Sequence, residues 1–98
     1  MSSNHDTTAK RLARKERVEY NQGKGPDVNA PGRAIEVETA NTVRDGMRQL
    51  RGFRKPVYIA GSSVRATEAA LEAAQGTTVG VMDPNGRIVK RSTRRRQR

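Results

Sequence analysis

The 98-residue sequence predicts a small α/β (α+β) domain, a mixed β-sheet flanked by helices in the order α-β-β-α-β-α-β-β. Short runs with strand periodicity alternate with stretches whose apolar residues recur every three or four positions. Pro and Gly punctuate the joints between them. Hydrophobic content is 33 per cent, and Tyr20, Phe53 and Tyr58 are the only aromatics, so one thin core of Val, Ile, Leu, Met and Ala is expected. A core of that size gains from a second subunit, which makes a homodimer the expected state. The organisation reads as a flexible start over 1–6, a single domain over 7–92 and a disordered basic tail over 93–98.

The first helix is expected from Thr7 to about Glu19, with Ala9, Leu12 and Ala13 as a narrow apolar stripe and Asp6 or Thr7 as N-cap. Tyr20-Asn-Gln-Gly-Lys-Gly-Pro breaks it. Residues 27–30 form a short strand, Pro31-Gly32 turns the chain, and Ala34–Thr39 alternates as a second strand. Together they read as a β-hairpin. Asn41 or Thr42 caps a second helix running to about Phe53, with Val43, Met47, Leu50 and Phe53 as its buried stripe. Gly46 inside that helix costs about 1 kcal/mol, which points to close packing against something. Lys55-Pro56 stops the helix, and Val57-Tyr-Ile-Ala suits a strand buried on both faces. Ser62 or Ser63 caps a third, Ala-rich helix that ends at Gly76. Thr77–Met82 is another buried strand, Asp83-Pro-Asn-Gly a tight turn, and 87–92 a charged edge strand.

The charge is lopsided. The formal net charge is +10, and residues 87–98 carry seven basic residues and no acid. Such an excess suits a polyanion, and nucleic acid fits better than a membrane surface because no acyl-anchor motif or apolar amphipathic helix adjoins the tail. The absence of cysteine excludes disulfides and thiolate-bound zinc. His5, alone near the start, cannot build a histidine metal site. No run approaches the ~18 apolar residues of a membrane span, and the polar start is no signal peptide. An intracellular, cytoplasmic location, at the nucleoid if cellular, is expected.

Against this basic background Asp27, Glu36 and Glu38 stand out. Glu36 and Glu38 lie two apart on one strand, so their side chains share a face and repel. The hairpin brings Asp27 alongside. A solvated outer face is the simpler explanation of alternating Glu; a divalent cation is the other, because Mg²⁺ takes oxygen ligands and cancels the repulsion.

Pro26-Asp27, then eight residues, then Glu36-Val37-Glu38 on a strand resembles the PD-(D/E)XK nuclease superfamily. In size and layout the chain looks most like small Holliday junction resolvase-like proteins, over roughly residues 7–90. The resemblance implies a restriction-endonuclease-like core in which Asp27 and Glu36, with the Val37 carbonyl, ligate Mg²⁺ (Mn²⁺ second). Glu38 stands where a lysine is usual and takes the part of base or second-metal ligand. It further implies an acid from the first helix, for which Glu16 and Glu19 are the candidates, although a plain surface carboxylate is the simpler reading of either. Gln49, after the motif, falls where several members face the site.

Phosphate neutralisation around an acidic centre needs cations. Lys10, Arg11 and Arg14 on the first helix and Arg44, Arg48 and Arg51 on the second are expected to rim the groove, while Arg94, Arg95 and Arg96 in the tail add affinity without specificity. Few aromatics argue against a single-strand or RNA-loop reader. The expected function is a metal-dependent endodeoxyribonuclease on duplex or branched DNA. The alternative is a non-catalytic nucleic-acid-binding protein that retains the nuclease-like fold, which Glu38 in the lysine position favours. A basic RNA- or ribosome-associated protein is a third reading.

Overall fold

The computed structural model describes residues 4–21 and 25–95. Among them the chain forms helices α1 (Asn4–Lys15), α2 (Val43–Gln49) and α3 (Val64–Ala74) and strands β1 (Val28–Ala30), β2 (Arg33–Glu38), β3 (Val57–Gly61), β4 (Gly80–Met82) and β5 (Ile88–Lys90). The element order is the expected one. The strands form one mixed sheet in the order β1-β2-β3-β4-β5. β1 and β2 pair antiparallel across the Pro31-Gly32 turn, with Val28 opposite Ile35. β2, β3 and β4 run parallel, and β5 returns antiparallel on the edge.

Helices cover both faces of the sheet. Ala9, Leu12 and Ala13 of α1 pack on Val28, Ile35, Val37, Tyr58, Ala60 and Met82. On the opposite face α2 and α3 pack Val43, Leu50, Ala70 and Ala74 on Ala34, Val57, Ile59, Val79 and Val81. This two-sided cover is why the central strands read as continuous apolar runs. It also buries Glu36 and Glu38, which would be a solvated row on a one-sided sheet.

Several boundaries differ from those expected, each for a local reason. α1 starts at Asn4, so residues 4–6 are helical and not part of a flexible start. It stops at Lys15, because Arg17 takes a left-handed φ of 59°. Val18 N–H then bonds to Ala13 O and Arg17 N–H to Arg14 O, a Schellman closure without the usual glycine. α2 ends at Gln49, short of Phe53. Its Thr42 N-cap makes no side-chain cap bond, since the Thr42 hydroxyl accepts from Thr39 N–H in the preceding turn. α3 is capped as predicted, with Ser63 Oγ accepting from Ala66 N–H at 3.1 Å.

The tail is not loose where it is described. Thr93 N–H bonds to Thr78 O, and the Arg94 guanidinium donates to Leu50 O, Phe53 O and Thr78 Oγ1. Arg94 thus satisfies carbonyls left over at the end of α2. No helix among the described residues is long and apolar enough to cross a membrane.

Candidate functional site

The three carboxylates meet at the end of the sheet where the parallel strands terminate, the usual ligand end of such sheets. Asp27 enters β1 opposite Glu36, and two hydrogen bonds lock the pair. The Asp27 N–H donates to Glu36 Oε1 at 2.8 Å, and Val37 N–H donates to Asp27 Oδ2 at 2.9 Å. The antiparallel register makes this possible: β1 has run out of ladder partners, so side-chain oxygens take the amides.

Glu36 is 3 per cent exposed and Glu38 6 per cent. Burial first, then the charges of Asp27 and Glu38, push the Glu36 carboxyl up to about 7. Burial likewise pushes Glu38 up to about 7, with the Asp27 charge adding and a hydrogen bond from Thr42 opposing. Lysine and arginine are absent from the groups that act on either carboxyl. Two buried acids without a fixed cation are therefore held partly protonated at neutral pH.

Gly46 explains how Glu38 is accommodated. A Cβ at Gly46 would lie 2.7 Å from Glu38 Cγ and 2.8 Å from Ile59 Cδ1. The packing that a glycine in α2 foretold is packing against a candidate site carboxylate.

Three residues join the site that sequence reasoning did not place there. His5 Nε2 stands 3.1 Å from Asp27 Oδ2, reversing the expectation that His5 lies in a loose start. Tyr20 Oη donates to Asp6 Oδ1 at 2.9 Å and stands 3.4 Å from His5 Nδ1. Burial and the Asp6 hydrogen bond raise the Tyr20 phenol to about 12, so it stays a neutral donor. The available signal was Asp6, an acid suited to a first helical turn, which allows the helix to begin before Thr7.

The remaining candidates divide. Val37 contributes its amide to Asp27, and its carbonyl lies on the same side of β2. Gln49 sits exposed in the last turn of α2 and makes no hydrogen bond among the described residues. Glu16 is engaged elsewhere, accepting from Arg33 Nε at 2.8 Å, and that guanidinium holds its carboxyl below the usual range. Glu19 is exposed. Among the described residues no group of three or more His, Cys, Asp or Glu is spaced to hold a metal ion as it stands.

The basic residues do not form one rim. Lys10, Arg11 and Arg14 line a depression of about 300 Å³ on the α1 layer. Arg44, Arg48 and Arg51 line another of about 390 Å³ with Met47 and Ala73 on the α2/α3 layer. The sheet separates the two sets, which corrects the expectation of a single groove. Arg11 is also committed to the β4–β5 turn, donating to Pro84 O at 2.8 Å. Arg94 is committed to α2, which corrects its assignment to a free tail. Arg95 is exposed, and Arg96 lies outside the described residues.

Compared with models of known protein families, with curated proteins and with solved structures, the chain matches none.

Proposed function

We propose that the chain is a metal-dependent endodeoxyribonuclease of PD-(D/E)XK type with a restriction-endonuclease-like core, acting on duplex or branched DNA. The observation that supports this reading is the gathering of Asp27, Glu36 and Glu38 at one sheet end, two of them buried, with no lysine or arginine acting on the buried pair. Net charge +10 makes the cluster a local exception within a chain built for polyanions.

The donor set fits a hard cation. Asp27, Glu36, Glu38 and the Val37 carbonyl are all oxygen donors, which suits Mg²⁺ or Mn²⁺ over softer metals. Holding the ion requires the carboxylates to draw together from their present spacing. Bound there, the ion would polarise a phosphodiester and supply hydroxide from water at neutral pH. Glu36 and Glu38, ionising near 7, would give up their protons as the ion arrives. Arg44, in the first turn of α2, and the exposed Arg48 and Arg51 beyond it would neutralise phosphates leading away from the acids. Two copies, each with one site, would suit paired cuts across a symmetric substrate.

The test is cleavage of a labelled four-way junction and a matching linear duplex in Mg²⁺, Mn²⁺ or EDTA. Wild type should cut only with metal, and Asp27→Asn or Glu36→Gln should lose at least about a hundredfold in rate while still binding DNA. Unchanged cutting in either variant sinks the site. Tight binding without cutting under either metal favours the second reading, a binding protein that keeps the nuclease-like fold; the lack of a preformed ligand cluster speaks for it.

A further inference from the structure

We infer that His5 is a positioning residue for Asp27, donating from Nε2 to Asp27 Oδ2 so that Oδ1 is the oxygen presented to the metal. The inference rests on the metal-site reading above. Oδ2 stands 2.9 Å from the Val37 amide nitrogen and 3.1 Å from His5 Nε2, which fills its acceptor directions. Oδ1 takes no hydrogen bond among the described residues. A carboxylate pinned through one oxygen loses its freedom to rotate, and its other oxygen is fixed in direction, as outer-shell partners commonly do for metal ligands.

The imidazole is itself held. Tyr20 Oη lies 3.4 Å from Nδ1, and the two rings are 6.3 Å apart at an interplanar angle of 53°. Asp6 Oδ1, bonded to the same phenol, lies 3.5 Å from Nδ1. The contact is not needed to dock α1. That helix is fastened by buried Ala9, Leu12 and Ala13, and by Arg11 and Lys15 reaching the turn at Pro84 and Gly86. His5 keeps 30 per cent of its side chain exposed, so its removal leaves little void.

The experiment measures Mn²⁺ affinity of the full chain by titration calorimetry, with thermal melting in EDTA beside it. Wild type, His5→Phe, His5→Gln and Asp27→Asn are compared. Phe keeps the ring beside Tyr20 without a donor; Gln places an amide N–H near the position of Nε2. We expect His5→Phe to weaken Mn²⁺ binding by about 10–100-fold at an unchanged melting point, and His5→Gln to stay within about threefold of wild type. Equal affinity in His5→Phe and wild type overturns the inference. So does an equal loss of affinity in both variants accompanied by an equal fall in melting point, which would make His5 only a helix anchor. Wild type without Mn²⁺ binding, or Asp27→Asn binding as tightly as wild type, overturns the metal-site reading and this inference with it.

Discussion

The two ends of the sheet solve the same backbone problem with opposite charges. At the end where β2, β3 and β4 begin, cations cap leftover carbonyls. Lys55 reaches Ala30 O at 2.8 Å, Lys90 reaches Val79 O, and Arg94 reaches Leu50 O and Phe53 O. At the end where they finish, carboxylates cap leftover amides, as Asp27 and Glu36 do for Val37 and Asp27. The cations keep partial contact with water, and each caps a nearby chain reversal. The acids do not: Glu36 and Glu38 are buried beside each other and beside Asp27. One end is a set of ordinary staples; the other holds more negative charge than stability calls for. Excess of that kind marks the end built for a ligand.

The largest test of this contrast is pH. Glu36 and Glu38 titrate near 7 in the folded chain against an ordinary 4.5, so the folded state holds their protons more tightly. Their contribution is fully present below about 4.5 and is lost as pH rises through 7. Thermal or urea unfolding in EDTA should show stability falling over that window by on the order of 2 kcal/mol per group. Millimolar Mg²⁺ should restore it above pH 7; no fall, or no recovery with metal, would break the contrast between the ends. Glu38→Gln removes one of the charges. It should raise the metal-free melting point at pH 8 by several degrees and change little at pH 5.

Gly46→Ala comes next in size. Helix propensity alone favours Ala by about 1 kcal/mol, but the new methyl would press on Glu38 and Ile59. We expect a net loss of about 1–2 kcal/mol in chemical denaturation; a gain would mean that the site end is loosely packed. At the opposite end, Arg94→Ala should cost about 1 kcal/mol by uncapping α2, independent of pH between 5 and 8. The smallest effect is expected at the turn after α1, where Arg17→Gly relieves a left-handed non-glycine residue and should stabilise by about 0.5–1 kcal/mol.

The sequence made the element order legible because its punctuation is strong: Pro31-Gly32, Lys55-Pro56, Ser63 and Gly76 each fall at a joint. The three acids were legible from spacing, since a hairpin register brings Asp27 opposite Glu36. Their burial was not, because Glu-x-Glu reads alike on a one-sided and a two-sided sheet until the helices are placed. His5 was missed for a similar reason. A helix start with Asn4 and Asp6 before Thr7 is locally permissible, and only the contact with Asp27, far off in sequence, fixes it. The close of α1 was hidden because Arg17 does the work of a glycine. The division of the basic residues between two layers follows from the sheet lying between α1 and α2, which no local pattern encodes.

Gly46 and Glu38 also bear on ancestry. The side chain at 38 fills the notch that the glycine leaves, so the two positions are not free to drift separately. In chains descended from the same ancestor, an acid-x-acid strand should travel with a glycine eight residues beyond its second acid, and loss of that glycine should accompany a smaller residue at the strand position. The spaced pair is a longer and more selective signature than the acids alone.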